Sequence, residues 1–400
     1  MKNLSGGVTA PKGYKAAGVA CGLKKNGNKD LAMVVSDNIA TVAGVFTKNL
    51  VKGHSLQLTM NNIKCNAAKG VVVNSGCANA CVGSQGYEDA KLMAQHAANL
   101  LNVDSGKMLL GSTGVIGKKL DLDAITKGID MAYSQLSYKG GLSAEEAIMT
   151  TDTIPKEYAV EFNLEGVAIR IGGMAKGSGM IHPDMATMIG IITTDAAISP
   201  EMLTLALKTV VNKTFNRVSV DGDTSVCDMV ITMANGIAGN ALINKEDKSF
   251  ELFIEGLNIV SEALSKMLAK DGEGATKLVE IVVKNSSTKE QAYKIANSVA
   301  KSSLIKTAMF GEDANWGRIL TAAGYSGAIF DPDKTDIYIG DLIVCQNGTA
   351  LPFDEEYALK ILKSNEIIVV IDLKSGDCFD RMWTCDFSYD YIKINGSYRT

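Results

Sequence analysis

A chain of 400 residues, 46% hydrophobic and 21% charged, has the composition of an ordinary folded protein and the length for two or three domains. Its net charge of −4, with basic residues dispersed along the chain, gives no support to a nucleic-acid surface. No apolar run reaches the roughly 18 residues of a membrane-spanning helix, and the opening Met1-Lys-Asn-Leu-Ser-Gly-Gly7 lacks the apolar core of a secretory signal, so the expectation is a cytoplasmic protein with no membrane partner.

Short apolar segments read as strands at 32–35, 70–73 and 108–110. Between the last two, residues 88–101 place Leu92, Met93, His96, Leu100 and Leu101 at helical spacing. Ser143 with Glu146 predicts a capping box, in which each side chain bonds the other's backbone N–H. A turn-rich stretch over 176–184 leads into a β-type run at 189–193. Ser199-Pro200-Glu201 then reads as an N-cap, a first helical residue and an acid matched to the helix dipole. Strands at 230–234 and 278–283 follow. Ser287 with Glu290 predicts a second capping box opening a helix over 288–302. Strands at 336–344 and 366–373 flank a helix over 354–364, behind Pro352, and a last strand is expected at 389–394. Strands alternating with amphipathic helices define the class as α/β or α+β.

Glycine is abundant at 39 residues and proline scarce at 6, a balance that favours tight turns and close backbone packing over disordered linkers. The run Gly172–Gly179 is not a phosphate loop, because Lys176 precedes Gly177 instead of following it. Its glycines suit a contorted turn. The eight cysteines are expected as reduced thiols; Cys77 and Cys81 make a C-x-x-x-C pair with no second pair or nearby His to complete a metal site. Asp221 and Asp223 lie two residues apart, and buried hydrogen bonding suits them better than a metal or an acid/base pair. Gly111-Ser-Thr-Gly114 follows an apolar segment; its glycines either free backbone N–H groups to point inward or form a plain polar turn.

Thr187 sits where the turn-rich stretch becomes a strand. If the Ala186–Thr187 bond is cut, Thr187 becomes an amino terminus whose hydroxyl is the nucleophile and whose own amine is the base. His182, five residues upstream, is a rival base, but a His-Pro pair shaping the turn accounts for it better.

Ten segments then fall into one order: GGVTAPKGYKAAGVACG at 6–22, GVFTKN at 44–49, VVVNSG at 71–76, STGVIG at 112–117, TTDT at 150–153, GGMAKGSGMIHPDMATM at 172–188, SVDGDTS at 219–225, GEGATK at 272–277, GEDANWGRI at 311–319 and YIKINGSYRT at 391–400. Through them the chain resembles, nearly end to end, the bacterial ornithine acetyltransferase family, the glutamate N-acetyltransferases. The resemblance implies an α/β (α+β layered) ornithine acetyltransferase/DmpA-like fold, with sheets packed between helices. It implies a larger active-site domain over 1–275, a smaller C-terminal α/β domain over 276–388, and a tail over 389–400 docked at the active site. It implies self-cleavage between Ala186 and Thr187 into chains 1–186 and 187–400, assembled as a heterotetramer of two of each.

The same resemblance gives Thr187 the nucleophile's role, Thr113 and Gly114 the oxyanion hole, and Thr151, Lys176, Thr187, Glu273, Asn395 and Thr400 substrate binding. The implied reaction is ping-pong acetyl transfer from N2-acetyl-L-ornithine to L-glutamate through acetyl-Thr187, in arginine biosynthesis, with no cofactor and no metal. Alternatives are a bifunctional enzyme that also takes acetyl-CoA as a substrate, and an N-terminal-nucleophile amidase or aminopeptidase that passes its acyl group to water. A non-catalytic scaffold that never cleaves is the rival from another class. The chain departs from the family pattern at Cys77 and Cys227, where asparagine is usual, which suggests that positions 77 and 227 face each other. It departs again at Lys52-Gly-His-Ser55.

Overall fold

The computed structural model describes residues 1–182 and 188–397. Ile189–Thr194, mostly β-branched and buried along its whole length, is a strand in the middle of the larger sheet. Along that sheet the described strands run Lys2–Leu4, Glu157–Leu164, Val167–Lys176, Ile189–Thr194, Met229–Ala234, Leu31–Phe46, Ala67–Cys77 and Met108–Val115, with Tyr14–Val19 paired to Leu31–Phe46 off this path. Ile189–Thr194 is parallel to Met229–Ala234 and antiparallel to Val167–Lys176.

Leu31–Phe46 makes the sheet curl. Its register against Ala67–Cys77 shifts between Val35 and Ala40, and its last residues pair instead with Met229–Ala234. The curl lays Met108–Val115 against the start of Met229–Ala234. A Cβ at Gly111 would meet the Met229 Cε at 2.6 Å, so the two strands approach closely there and the end of the Met229 side chain would have to shift for any larger residue. Helices Pro200–Val211 and Lys248–Lys270 cover one face through Leu203, Leu207, Phe253, Leu257 and Leu264. Helices Gln85–Leu101 and Leu122–Ser134 pack Met93, Ala97, Ile125 and Ile129 against the other end. The smaller sheet runs Thr349–Ala350, Leu342–Gln346, Asp336–Ile339, Glu366–Asp372, Leu278–Ser286, Cys378–Cys385 and Val218–Ser219. Its core is closed by helix Lys289–Lys301 and its neighbours.

The layered α/β class expected from the sequence is what the chain adopts. Several local readings are corrected. Residues 389–394 are not a strand: Tyr389–Ser397 is a helix. The alternating aromatic and β-branched residues read as a strand, but what meets them is side chains, with Phe387 stacked on Tyr391 and Phe310 edge-on to Tyr389. The Asp390 N–H donates to the Ser388 hydroxyl, and Ser388 in turn donates to the Gly274 carbonyl.

Ser143 and Glu146 form no capping box. Helix Gly141–Ile148 starts two residues earlier, and both side chains are taken by Lys29, whose Nζ lies 3.0 Å from Ser143 Oγ and 2.7 Å from Glu146. At the second box the N-cap is Thr288, which accepts from the Gln291 N–H, while Ser287 pairs with the Gln291 side chain. The predicted 336–344 strand is a hairpin broken at Gly340, where φ is +61°. Ser199 caps its helix as expected, accepting from Met202 N–H with Pro200 in the first turn.

Candidate active site

The site is built where widely separated parts of the chain meet around a cavity of about 240 Å³. Strand Met108–Val115 contributes Thr113 and Gly114 at its end. Gly114 has φ of +122°, and a Cβ there would sit 2.6 Å from the Gly76 carbonyl carbon, so the neighbouring parallel strand permits only glycine. Thr151 follows helix Gly141–Ile148. Lys176 ends strand Val167–Lys176 and is 7% exposed. Its Nζ reaches the Thr113 hydroxyl at 3.4 Å and forms no ion pair among the described residues.

Glu273 follows the long helix Lys248–Lys270, and Asn395 comes from the last helix. The two meet: Asn395 Nδ2 donates to Glu273 Oε2 at 2.8 Å. Gly179 packs against this carboxylate: a Cβ there would lie 2.3 Å from Glu273 Oε2, so a larger residue would displace the Glu273 side chain from its place. Gly274, at φ +69°, leaves room for the Tyr391 backbone N–H, which a Cβ would approach to 2.5 Å.

Beneath the cavity lies a buried ion triad. Lys156 is wholly buried and reaches Asp152 at 2.7 Å and Asp271 at 2.5 Å. Asp152 also accepts the Gly177 N–H at 2.6 Å and the Thr150 N–H at 2.9 Å. Burial pushes the Asp152 carboxyl up, but the cations of Lys176 and Lys156 outweigh it and hold the group well below the usual carboxylate range. Asp271 accepts from Thr153, and its carbonyl takes the Ser178 hydroxyl at 2.6 Å. The triad thus fixes Lys176 and Glu273 from below through their neighbours in the chain.

The turn that leads toward Thr187 is anchored residue by residue. Met180 has φ of +53°, a strained value for a residue with a side chain. Asp221 accepts the Met180 N–H at 2.6 Å and the Ile181 N–H at 2.9 Å, and Thr224 donates to the His182 carbonyl at 2.9 Å. His182 Nδ1 lies 3.2 Å from the Ser219 hydroxyl, so its ring is engaged with the turn. Burial pushes Asp221 up to about 6 against the backbone N–H groups that hold it.

Six of the residues expected from sequence therefore line one cavity: Thr113, Gly114, Thr151, Lys176, Glu273 and Asn395. Ala186, Thr187 and Thr400 lie outside the described residues. Sequence reasoning missed Tyr391 and Asp228, which also line the cavity. Tyr391 was hidden by the strand reading of its segment; Asp228 closes a loop beside the substituted Cys227 and carries no motif of its own. The Cys227 thiol donates to the Ala78 carbonyl at 3.5 Å and Cys77 to the Lys118 carbonyl at 3.0 Å, so each thiol bonds backbone and not the other, and all eight cysteines are free. Among the described residues no group of three or more His, Cys, Asp or Glu side chains is placed to hold a metal ion. No described helix is long and apolar enough to cross a membrane.

A family model described as the ArgJ family matches residues 15–400. The chain is 49% identical over 404 residues to the arginine biosynthesis bifunctional protein ArgJ of Caldanaerobacter subterraneus, and 48% identical over 402 residues to that of Symbiobacterium thermophilum, with 100% of both chains covered in each case. Among solved structures, the arginine biosynthesis bifunctional protein of Bacillus halodurans matches at 40% identity with a TM-score of 0.52, over 53% of this chain and 100% of its own.

Proposed function

The chain belongs to the ArgJ family, and on that footing we propose that it transfers an acetyl group from N2-acetyl-L-ornithine to L-glutamate in arginine biosynthesis, by way of an ester on the Thr187 hydroxyl. Cleavage of the Ala186–Thr187 bond leaves an α-amine beside that hydroxyl. Such an amine ordinarily titrates near ~7.7–8.0, which suits it as the base at neutral pH. The hydroxyl attacks the acetyl carbonyl of the donor, Thr113 and Gly114 face the developing oxyanion, and ornithine leaves as the free amine. The amine of glutamate then attacks the ester and regenerates the hydroxyl. Lys176, a buried cation with no ion pair among the described residues, binds the substrate carboxylate, and Glu273, held by Asn395, faces the amine.

One observation carries this reading: residues far apart in sequence, from Thr113 to Asn395, converge on a single cavity that Met188, the neighbour of Thr187, also lines. A second reading is favoured by the word bifunctional in the names of the relatives: the same ester also forms from acetyl-CoA. We assign the body of the active site to 1–275, a smaller domain to 276–388 and a docked tail to 389–400, with two copies of each cleaved chain in the assembly. A cytoplasmic setting accords with eight free thiols.

Acetyl exchange between N-acetylornithine and glutamate tests the reading. The wild type should catalyse it and Thr187→Ala should not; a Thr187→Ala protein with full activity removes Thr187 from the mechanism. N-acetylglutamate formed with acetyl-CoA as sole donor decides for the bifunctional reading, and none formed decides against it.

A further inference from the structure

Asp228 is a carboxyl group that the transfer reaction leaves unused. It lines the cavity, is 2% exposed, and its Oδ2 has no hydrogen-bond partner. An unpartnered buried carboxyl oxygen costs on the order of 1–3 kcal/mol, more if charged, and in a folded protein it calls for a purpose. Burial pushes this group well above the usual carboxylate range, against the lowering influence of Ser225, Lys176 and Thr47, and so favours the form that keeps its proton.

Its place in the sheet is specific. Met229–Ala234 runs parallel to Ile189–Thr194, with Met229 paired to Ile189, and the Met229 N–H donates to the Met188 carbonyl at 2.9 Å. Asp228 thus enters the sheet immediately before the first paired residue of its strand, as Met188 does on the facing strand. The Thr47 N–H fixes the Asp228 backbone by donating to its carbonyl at 3.0 Å. A buried carboxyl group with a free oxygen is held beside the residue that follows Thr187.

We infer that Asp228 is the general acid and base of the self-cleavage step. The inference rests on the reading of Ala186–Thr187 as the bond that opens. In that step the Thr187 hydroxyl oxygen bonds to the Ala186 carbonyl carbon and the bond from that carbon to the Thr187 nitrogen breaks. Asp228 gives its proton to the departing nitrogen, which becomes the amine, and the carboxylate so formed takes the hydroxyl proton. Asp228 ends neutral, as it began. Water then hydrolyses the ester, leaving a carboxylate on Ala186 and a free hydroxyl on Thr187. An amide nitrogen is a poor leaving group until it is protonated, and a neutral carboxylic acid supplies that proton where a carboxylate does not. Catalysis by a positioned acid–base group is worth about 10²–10⁴-fold.

The test follows chain opening by mass spectrometry in freshly purified wild type, Asp228→Asn, Asp228→Glu and Thr187→Ala, with and without hydroxylamine at neutral pH, which cleaves an ester, and opening is scored only as the fragments 1–186 and 187–400. Asp228→Asn should remain an intact chain of 42.4 kDa, opening at least about a hundredfold more slowly than wild type, and hydroxylamine should not open it, because the ester never forms. Asp228→Glu keeps an acid and should open faster than Asp228→Asn. The inference is overturned if Asp228→Asn opens at the wild-type rate, if hydroxylamine opens it, or if the Glu and Asn variants fail equally while their circular dichroism matches that of Thr187→Ala. An active wild type that never opens at Thr187 instead overturns the cleavage reading, whatever the Asp228 variants do.

Discussion

Asn395 donates to the Glu273 carboxylate at 2.8 Å across 122 residues of sequence, and this contact ties the last helix of the chain to the rim of the cavity. A hydrogen bond to a charged group is worth about 1.5–3 kcal/mol, so Asn395→Ala should lower kcat/KM for glutamate by roughly 10- to 100-fold. Steady-state kinetics checks this. Chain opening and the melting temperature should be unchanged, because Asn395 is exposed and packs no core.

Gly114 admits no side chain. Its φ of +122° and the 2.6 Å approach to the Gly76 carbonyl carbon mean that Gly114→Ala must push the end of one strand away from its parallel neighbour. Displacing a donor by about 1 Å costs on the order of a hundredfold in rate. The expected result is a folded protein whose kcat falls by about that factor with little change in KM.

Lys156 sits between Asp152 and Asp271 with no exposure of its own. Lys156→Met leaves two buried carboxyl groups without their cation, a change of the kind that costs about 3–5 kcal/mol. Urea unfolding should show a loss of that size, and the same variant should weaken substrate binding, since the triad holds the backbone on either side of the cavity.

Asp221, pushed up to about 6 by burial, adds a pH dependence to stability. Between its ordinary value and 6 the folded protein keeps the proton and the unfolded chain has lost it. Stability from this group is therefore present at low pH and is lost as pH rises through about 6. The difference amounts to about 3 kcal/mol. Asp221→Asn removes it, so the wild type should lose stability relative to the variant as pH rises from about 4 to about 7. Denaturant midpoints across that range measure the difference.

Lys176 and Glu273 were legible through the family resemblance of the glycine-rich segments that carry them, since each alone reads as a solvated loop residue, and the structure places both on the cavity. The buried triad was not legible: Asp152 and Asp271 are 119 residues apart, and only the folded chain brings both to Lys156. Asp228 gave no signal for the same reason, since burial and a missing partner are properties of its surroundings. Tyr391 was obscured by a local pattern that mimics a strand. The helix Lys248–Lys270 was readable but unread: Asp247 caps it, and Phe250, Phe253, Leu257, Val260, Leu264 and Leu268 recur at helical spacing.

Incubation with N-acetylornithine in the absence of glutamate, followed by mass spectrometry of the denatured protein, addresses the acetyl-enzyme directly. The fragment that begins Thr187-Met-Ile-Gly should gain the mass of one acetyl group, located on Thr187, and lose it when glutamate is added. An active enzyme whose Thr187 stays unmodified, or whose acetyl group sits on another residue, contradicts the mechanism.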